Sequence, residues 1–181
     1  MNKLNIILYG WRNTGKTTAL IKLVKLLVNN PAVSTAIDAV LKNRNGRFKD
    51  ARFIVDLDGN IILVGTAGDS WSVCRGNTDL FEGDYSSLLD IYLVNGTSFR
   101  ALTTKEKESY KSLVKQARVC ISACSPKNLK NGAIKALHAY SETALMSSYT
   151  RQLWVKSDNK LQSSAKANEL FSIINDFMQQ Q

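Results

Sequence analysis

The stretch Gly10-Trp11-Arg12-Asn13-Thr14-Gly15-Lys16-Thr17 constrains this chain more than any other. It follows the apolar run Leu4-Asn5-Ile6-Ile7-Leu8-Tyr9, which reads as a buried strand. It precedes Leu20, Leu23, Val24, Leu27 and Val28, whose spacing is that of one helix face. Strand, glycine loop and helix in direct succession predict an α/β fold. Within the loop, glycine lets the backbone wrap tightly, and backbone N–H groups at the start of the helix attract an anion. No acidic side chain in the loop opposes that attraction, and Lys16 adds a cation to it.

The loop satisfies G-x-x-x-x-G-K-(S/T) in every fixed position, in the strand-to-helix context the motif requires. At these residues the chain resembles the P-loop nucleoside triphosphatase superfamily. The resemblance implies a three-layer sandwich with a mainly parallel central sheet across most of the chain, although the motif and its flanks span only residues 4 to 28. It also implies nucleotide binding by Gly10, Asn13, Thr14, Gly15, Lys16, Thr17 and Thr18, with Mg²⁺ held at Thr17. Lys16 is expected to bridge the β- and γ-phosphates, and the Thr17 hydroxyl to ligate Mg²⁺. Small standalone bacterial ATP-binding proteins look similar at this level.

Arg52 to Leu57 and Ile61 to Gly65 are β-rich runs around Asp58-Gly59-Asn60, which predicts an antiparallel hairpin. The hairpin leads into Gly65-Thr66-Ala67-Gly68-Asp69. This resembles the D-T-A-G-Q segment of Ras-like GTPases with both polar ends changed. By that analogy the Gly68 N–H approaches the γ-phosphate, and Asp69 is a candidate general base or metal-side carboxylate. Gly65 stands where that family keeps the aspartate behind its Mg²⁺, so either Asp69 reaches the metal through water or another carboxylate does. Asp56 and Asp58 lie toward the far end of the hairpin and read as turn residues. The N-K-x-D loop that reads guanine has no counterpart, because Ser125-Pro126-Lys127-Asn128 lacks the aspartate. ATP is therefore expected rather than GTP.

Elsewhere, Ala32 to Leu41 predicts a short helix with Val33, Ile37, Val40 and Leu41 inward, after Asn29-Asn30-Pro31 ends the first one. Ile91 to Val94 and Phe99 to Leu102 flank Asn95-Gly96, which suggests a second small hairpin inserted around 85–103. Thr103 or Thr104 caps a charged helix with Glu106 in its first turn. Val119 to Cys124 reads as a core strand, Leu129 to Tyr140 as a helix, and Gln152 to Val155 as a last strand. Leu161 to Met178 reads as an amphipathic helix with Leu170, Ile173, Ile174 and Phe177 inward.

A length of 181 residues suits a single domain. The first apolar run is too short for a signal-peptide core or a membrane span, so a cytoplasmic protein without a membrane partner is expected. Cys74, Cys120 and Cys124 form no C-x-x-C pair and His138 is the sole histidine, so the thiols read as reduced packing residues. Of the net charge of +9, residues 100 to 181 hold 13 Lys/Arg against 6 Asp/Glu, or +7. That excess fits either solvated helix faces or a partner surface for nucleic acid or protein. The basic stretch at Lys42, Arg44, Arg47, Lys49 and Arg52 has the same two readings.

Three functions fit these features. The leading one is an ATP-binding hydrolase or nucleotide switch, slow unless a partner stimulates it, because no obvious arginine finger is present, Arg75 being a weaker candidate in cis. A small kinase shares the loop, but an Arg-rich lid is missing. A nucleotide-gated module docking on nucleic acid or protein is the non-enzymatic reading.

Overall fold

The computed structural model of the chain describes residues 3–11, 13–67, 91–93, 103–124, 150–157 and 159–180. Strand β1 covers Lys3–Tyr9 and feeds the glycine loop, after which helix α1 runs over Lys16–Val28. Helix α1 stops where Asn29 turns left-handed at φ 46°, its N–H donating to the Lys25 carbonyl. The next residue starts helix α2, Pro31–Leu41: the Asn30 side chain accepts from the N–H groups of Ala32 and Val33, and Pro31 takes the first turn. Val33, Ile37 and Leu41 are buried as expected, whereas Val40 is exposed.

Strands β2, Arg52–Leu57, and β3, Asn60–Gly65, form the expected antiparallel hairpin. Asp58 at φ 50° and Gly59 at φ 82° make its two-residue turn, and the Asp56 carboxylate accepts from the Gly59 N–H at 2.7 Å. Both aspartates are thus turn residues. Strand β4, Ile91–Leu93, lies parallel to β2 at the sheet edge, so this part of the expected insertion belongs to the main sheet. The remainder of that hairpin, 94–102, lies outside the described residues, as do the segment 70–82 and the expected helix 129–140.

Helix α3, Thr104–Lys115, begins with the expected capping box, in which Thr103 and Glu106 each satisfy the other's backbone N–H. It leads into β5, Ala117–Cys124. Strand β6, Thr150–Lys156, precedes a single 3₁₀ turn at Lys160–Gln162 and helix α4, Ser163–Gln179. Asn159 caps that 3₁₀ turn, so Leu161 falls outside the amphipathic helix and is 91% exposed.

The described strands form one sheet in the order β4-β2-β3-β5-β1-β6. Strands β3, β5, β1 and β6 run parallel to one another, while β2 and β4 run the opposite way. On one face, Leu4, Ile6, Leu8, Val64, Val119 and Ile121 share a core with α1, α2 and α4. Each fully buried leucine or isoleucine there contributes about 1.5–3 kcal/mol. The other face is buried too, through Ile7, Ile54, Leu63, Cys120 and Ser122, and α3 lies against β3. Two covered faces explain why these strands are nearly continuous apolar runs rather than alternating ones. The result is an α/β fold with a mixed, mostly parallel sheet. Cys120 and Cys124 are buried free thiols. Among the described residues, no helix is long and apolar enough to cross a membrane.

Candidate functional site

The carboxyl ends of β1, β5, β6 and β3 lie along one edge of the sheet, where open α/β folds hold their ligands. The loop 10–15 sits on this edge between β1 and α1. Asn13 at φ 63° and Gly15 at φ 85° turn the chain left-handed twice, which winds the loop back over the start of α1. Helix α1 receives no side-chain cap and has no acidic residue in its first turn. Its positive end therefore faces a cavity rather than a neighbouring carboxylate of its own turn.

Lys16 is only 7% exposed, and its ammonium donates to the carbonyls of Gly10 at 2.7 Å and Trp11 at 2.9 Å. The side chain is thereby folded back along the loop instead of extending into solvent. Beside the loop opens a cavity of about 590 Å³, lined among others by Asn13, Gly15, Lys16, Thr17 and Thr18. Those five were expected from the motif. Gly10 and Thr14 were expected there as well, but they serve the loop from behind. The Gly10 carbonyl holds Lys16, and the Thr14 hydroxyl donates to the Trp11 carbonyl at 2.9 Å. Trp11 itself is exposed.

Thr17 points toward the end of β3. Its hydroxyl donates to the Asp50 carboxylate at 3.0 Å and lies 3.4 Å from the Thr66 carbonyl oxygen. Thr66 and Asp50 both line the cavity. The other expected site residues, Gly68 and Asp69, lie outside the described residues, as does the candidate finger Arg75.

Four site residues escaped the reading of the sequence. Asp50 and Arg47 belong to the basic stretch, where solvent or nucleic acid was the expected neighbour, yet both line the cavity. A compact turn puts them there. The Asn43 side chain accepts from the N–H groups of Asn45 and Arg47, Gly46 adopts φ +68°, and Lys42 bridges Phe48. Phe48 anchors the turn between the ammonium groups of Lys25 and Lys42, each 5.6 Å from its ring centre. Lys160, in the turn after β6, also lines the cavity and packs against Gly15. Ser157 locks the loop to β6, its N–H donating to the Tyr9 carbonyl at 2.7 Å and its hydroxyl to the Thr14 carbonyl at 3.0 Å.

Among the described lining residues, three carry positive charge, Lys16, Arg47 and Lys160, and one carries negative charge, Asp50. That balance, with the uncapped helix end, favours a polyanion. The Thr17 hydroxyl and Asp50 carboxylate are hard oxygen donors of the kind Mg²⁺ takes alongside phosphate oxygens. The residues therefore fit a phosphate-type polyanion together with Mg²⁺. No family model, no curated protein and no solved structure matches the chain.

Proposed function

We propose that this chain is a P-loop nucleoside triphosphatase, of three-layer architecture, that binds Mg²⁺ and a triphosphate, with ATP as the expected nucleotide. The observation that carries this reading is the placement of Lys16: buried, tied to the loop carbonyls, and set at the uncapped start of α1 on the rim of a cationic cavity. A lysine placed only for solubility would extend into solvent instead.

In this reading the loop N–H groups and α1 hold the β- and γ-phosphates, and Lys16 offsets the charge that builds on their oxygens during transfer to water. Thr17 supplies an oxygen to Mg²⁺, which contributes Lewis-acid stabilisation when bound. Asp69 remains the candidate to orient or deprotonate the attacking water. Arg47, from the turn before β2, adds a second cation on the cavity wall. Turnover is expected to be slow unless a partner completes the site.

The test is product-resolved turnover of ATP and GTP with Mg²⁺, alone and with added nucleic acid, for the wild type and Lys16→Ala. Conversion to diphosphate and free phosphate is expected, and Lys16→Ala should lower it by about 100-fold or more. A folded wild type that binds neither nucleotide would refute the reading. Binding without phosphate release would move it from hydrolase to acceptor-dependent kinase or switch.

A further inference from the structure

The hairpin register carries a consequence for the metal. Arg52 pairs with Gly65, so the residues just before β2 meet those just after β3 at the carboxyl edge of the sheet. Ala51 and Thr66 complete the pairing twice over: the Thr66 N–H donates to the Ala51 carbonyl at 2.9 Å, and the Ala51 N–H donates to the Thr66 hydroxyl at 2.8 Å. Ala51 and Thr66 are both buried, so this junction is set by the core of the sheet. Asp50 is the next residue outward. Its carboxylate is delivered to the Thr17 hydroxyl, 33 residues away in the chain, at 3.0 Å.

Gly65 has no side chain to offer a cation held at Thr17, and Asp50 is the one carboxylate among the described residues lining the cavity. We propose that Asp50 is the acidic member of the divalent-cation shell, acting together with the Thr17 hydroxyl. The inference rests on the nucleotide-binding reading above. Its chemical basis is that Mg²⁺ in nucleotide sites draws on one or two protein carboxylates besides phosphate oxygens and water. A carboxylate in hydrogen-bond contact with the metal-binding hydroxyl can meet the ion directly or accept from its water. The acid has thus moved from the end of β3 to the start of β2, and the antiparallel hairpin makes those two places neighbours.

The experiment measures binding of a non-hydrolysable ATP analogue with Mg²⁺ and with EDTA, for the wild type, Asp50→Asn, Asp50→Cys and Lys16→Ala. Melting curves check that each variant folds. In the wild type, Mg²⁺ should tighten binding. Asp50→Asn is expected to reduce that metal-dependent gain by about 10–100-fold, while affinity in EDTA should not fall and should rise if anything, because a negative charge facing the phosphates is removed. Asp50→Cys should lose the gain with Mg²⁺ and recover it with Cd²⁺, since a thiolate prefers a softer ion. Mn²⁺ bound in the complex, followed by electron paramagnetic resonance, should change its spectrum in both variants. Lys16→Ala should weaken binding with and without metal.

Full retention of the Mg²⁺ gain in Asp50→Asn would overturn the assignment of Asp50 and leave the nucleotide reading standing. So would a wild type that binds the analogue equally well in Mg²⁺ and EDTA. A folded wild type that binds the analogue under neither condition would overturn the nucleotide reading, and this inference with it.

Discussion

At Gly10 the fold leaves no room for a methyl group. A Cβ there would stand 2.1 Å from the Ser157 carbonyl oxygen and 2.7 Å from the Thr14 hydroxyl. Neither atom can retreat cheaply, because Ser157 is tied to Tyr9 and to Thr14. Gly59 is the contrasting case, with φ +82° and nothing within 4 Å of an added Cβ. Gly59→Ala should cost about 1–2 kcal/mol of backbone strain and leave nucleotide affinity intact. Gly10→Ala should cost about 1–3 kcal/mol or more through crowding and also weaken nucleotide binding, since the Gly10 carbonyl holds Lys16. Urea unfolding and a binding titration on the two variants separate these effects. Equal affinity in both would show that Gly10 matters only for packing.

Among the elements, the parts with local signals were the readable ones. The strand before the loop, the period of α1, the Asp58-Gly59 turn and the Thr103–Glu106 box each depend on residues a few positions apart. Thr103→Ala is accordingly expected to lower stability by about 1 kcal/mol in denaturant melts, with no change at the cavity. The motif likewise pointed to Lys16 and Thr17, which line the cavity. The rest of the site comes from sheet register, which no short window contains. Ser157 reaches Thr14 across 143 residues, and Lys160 meets Gly15 only because β6 pairs with β1. Asp50 was the exception that could have been found. Once the hairpin was expected, its antiparallel sense already put the residues before Arg52 beside Gly65. The basic residues around Asp50 hid it by suggesting a solvated stretch. The inward face assigned to Val40 failed, as it is exposed in the last turn of α2.

For the whole molecule, binding at the cavity should register as global stability, because its lining lies at the start of α1 and just beyond β3 and β6, and α1 and these strands share one core. At a concentration 100 times its dissociation constant, magnesium nucleotide should add about 2.7 kcal/mol. For a chain of this size that corresponds to a rise in melting temperature of about 5–10 °C. Differential scanning fluorimetry would read it, and Lys16→Ala should remove it. The paired hydrogen bonds between Ala51 and Thr66 reach further. They tie the segment before β2 to the segment after β3 at the edge of the cavity, so the two should open to solvent as one unit. Amide exchange at Ala51 and Thr66 should slow together on nucleotide binding, and unequal responses would show two independent walls.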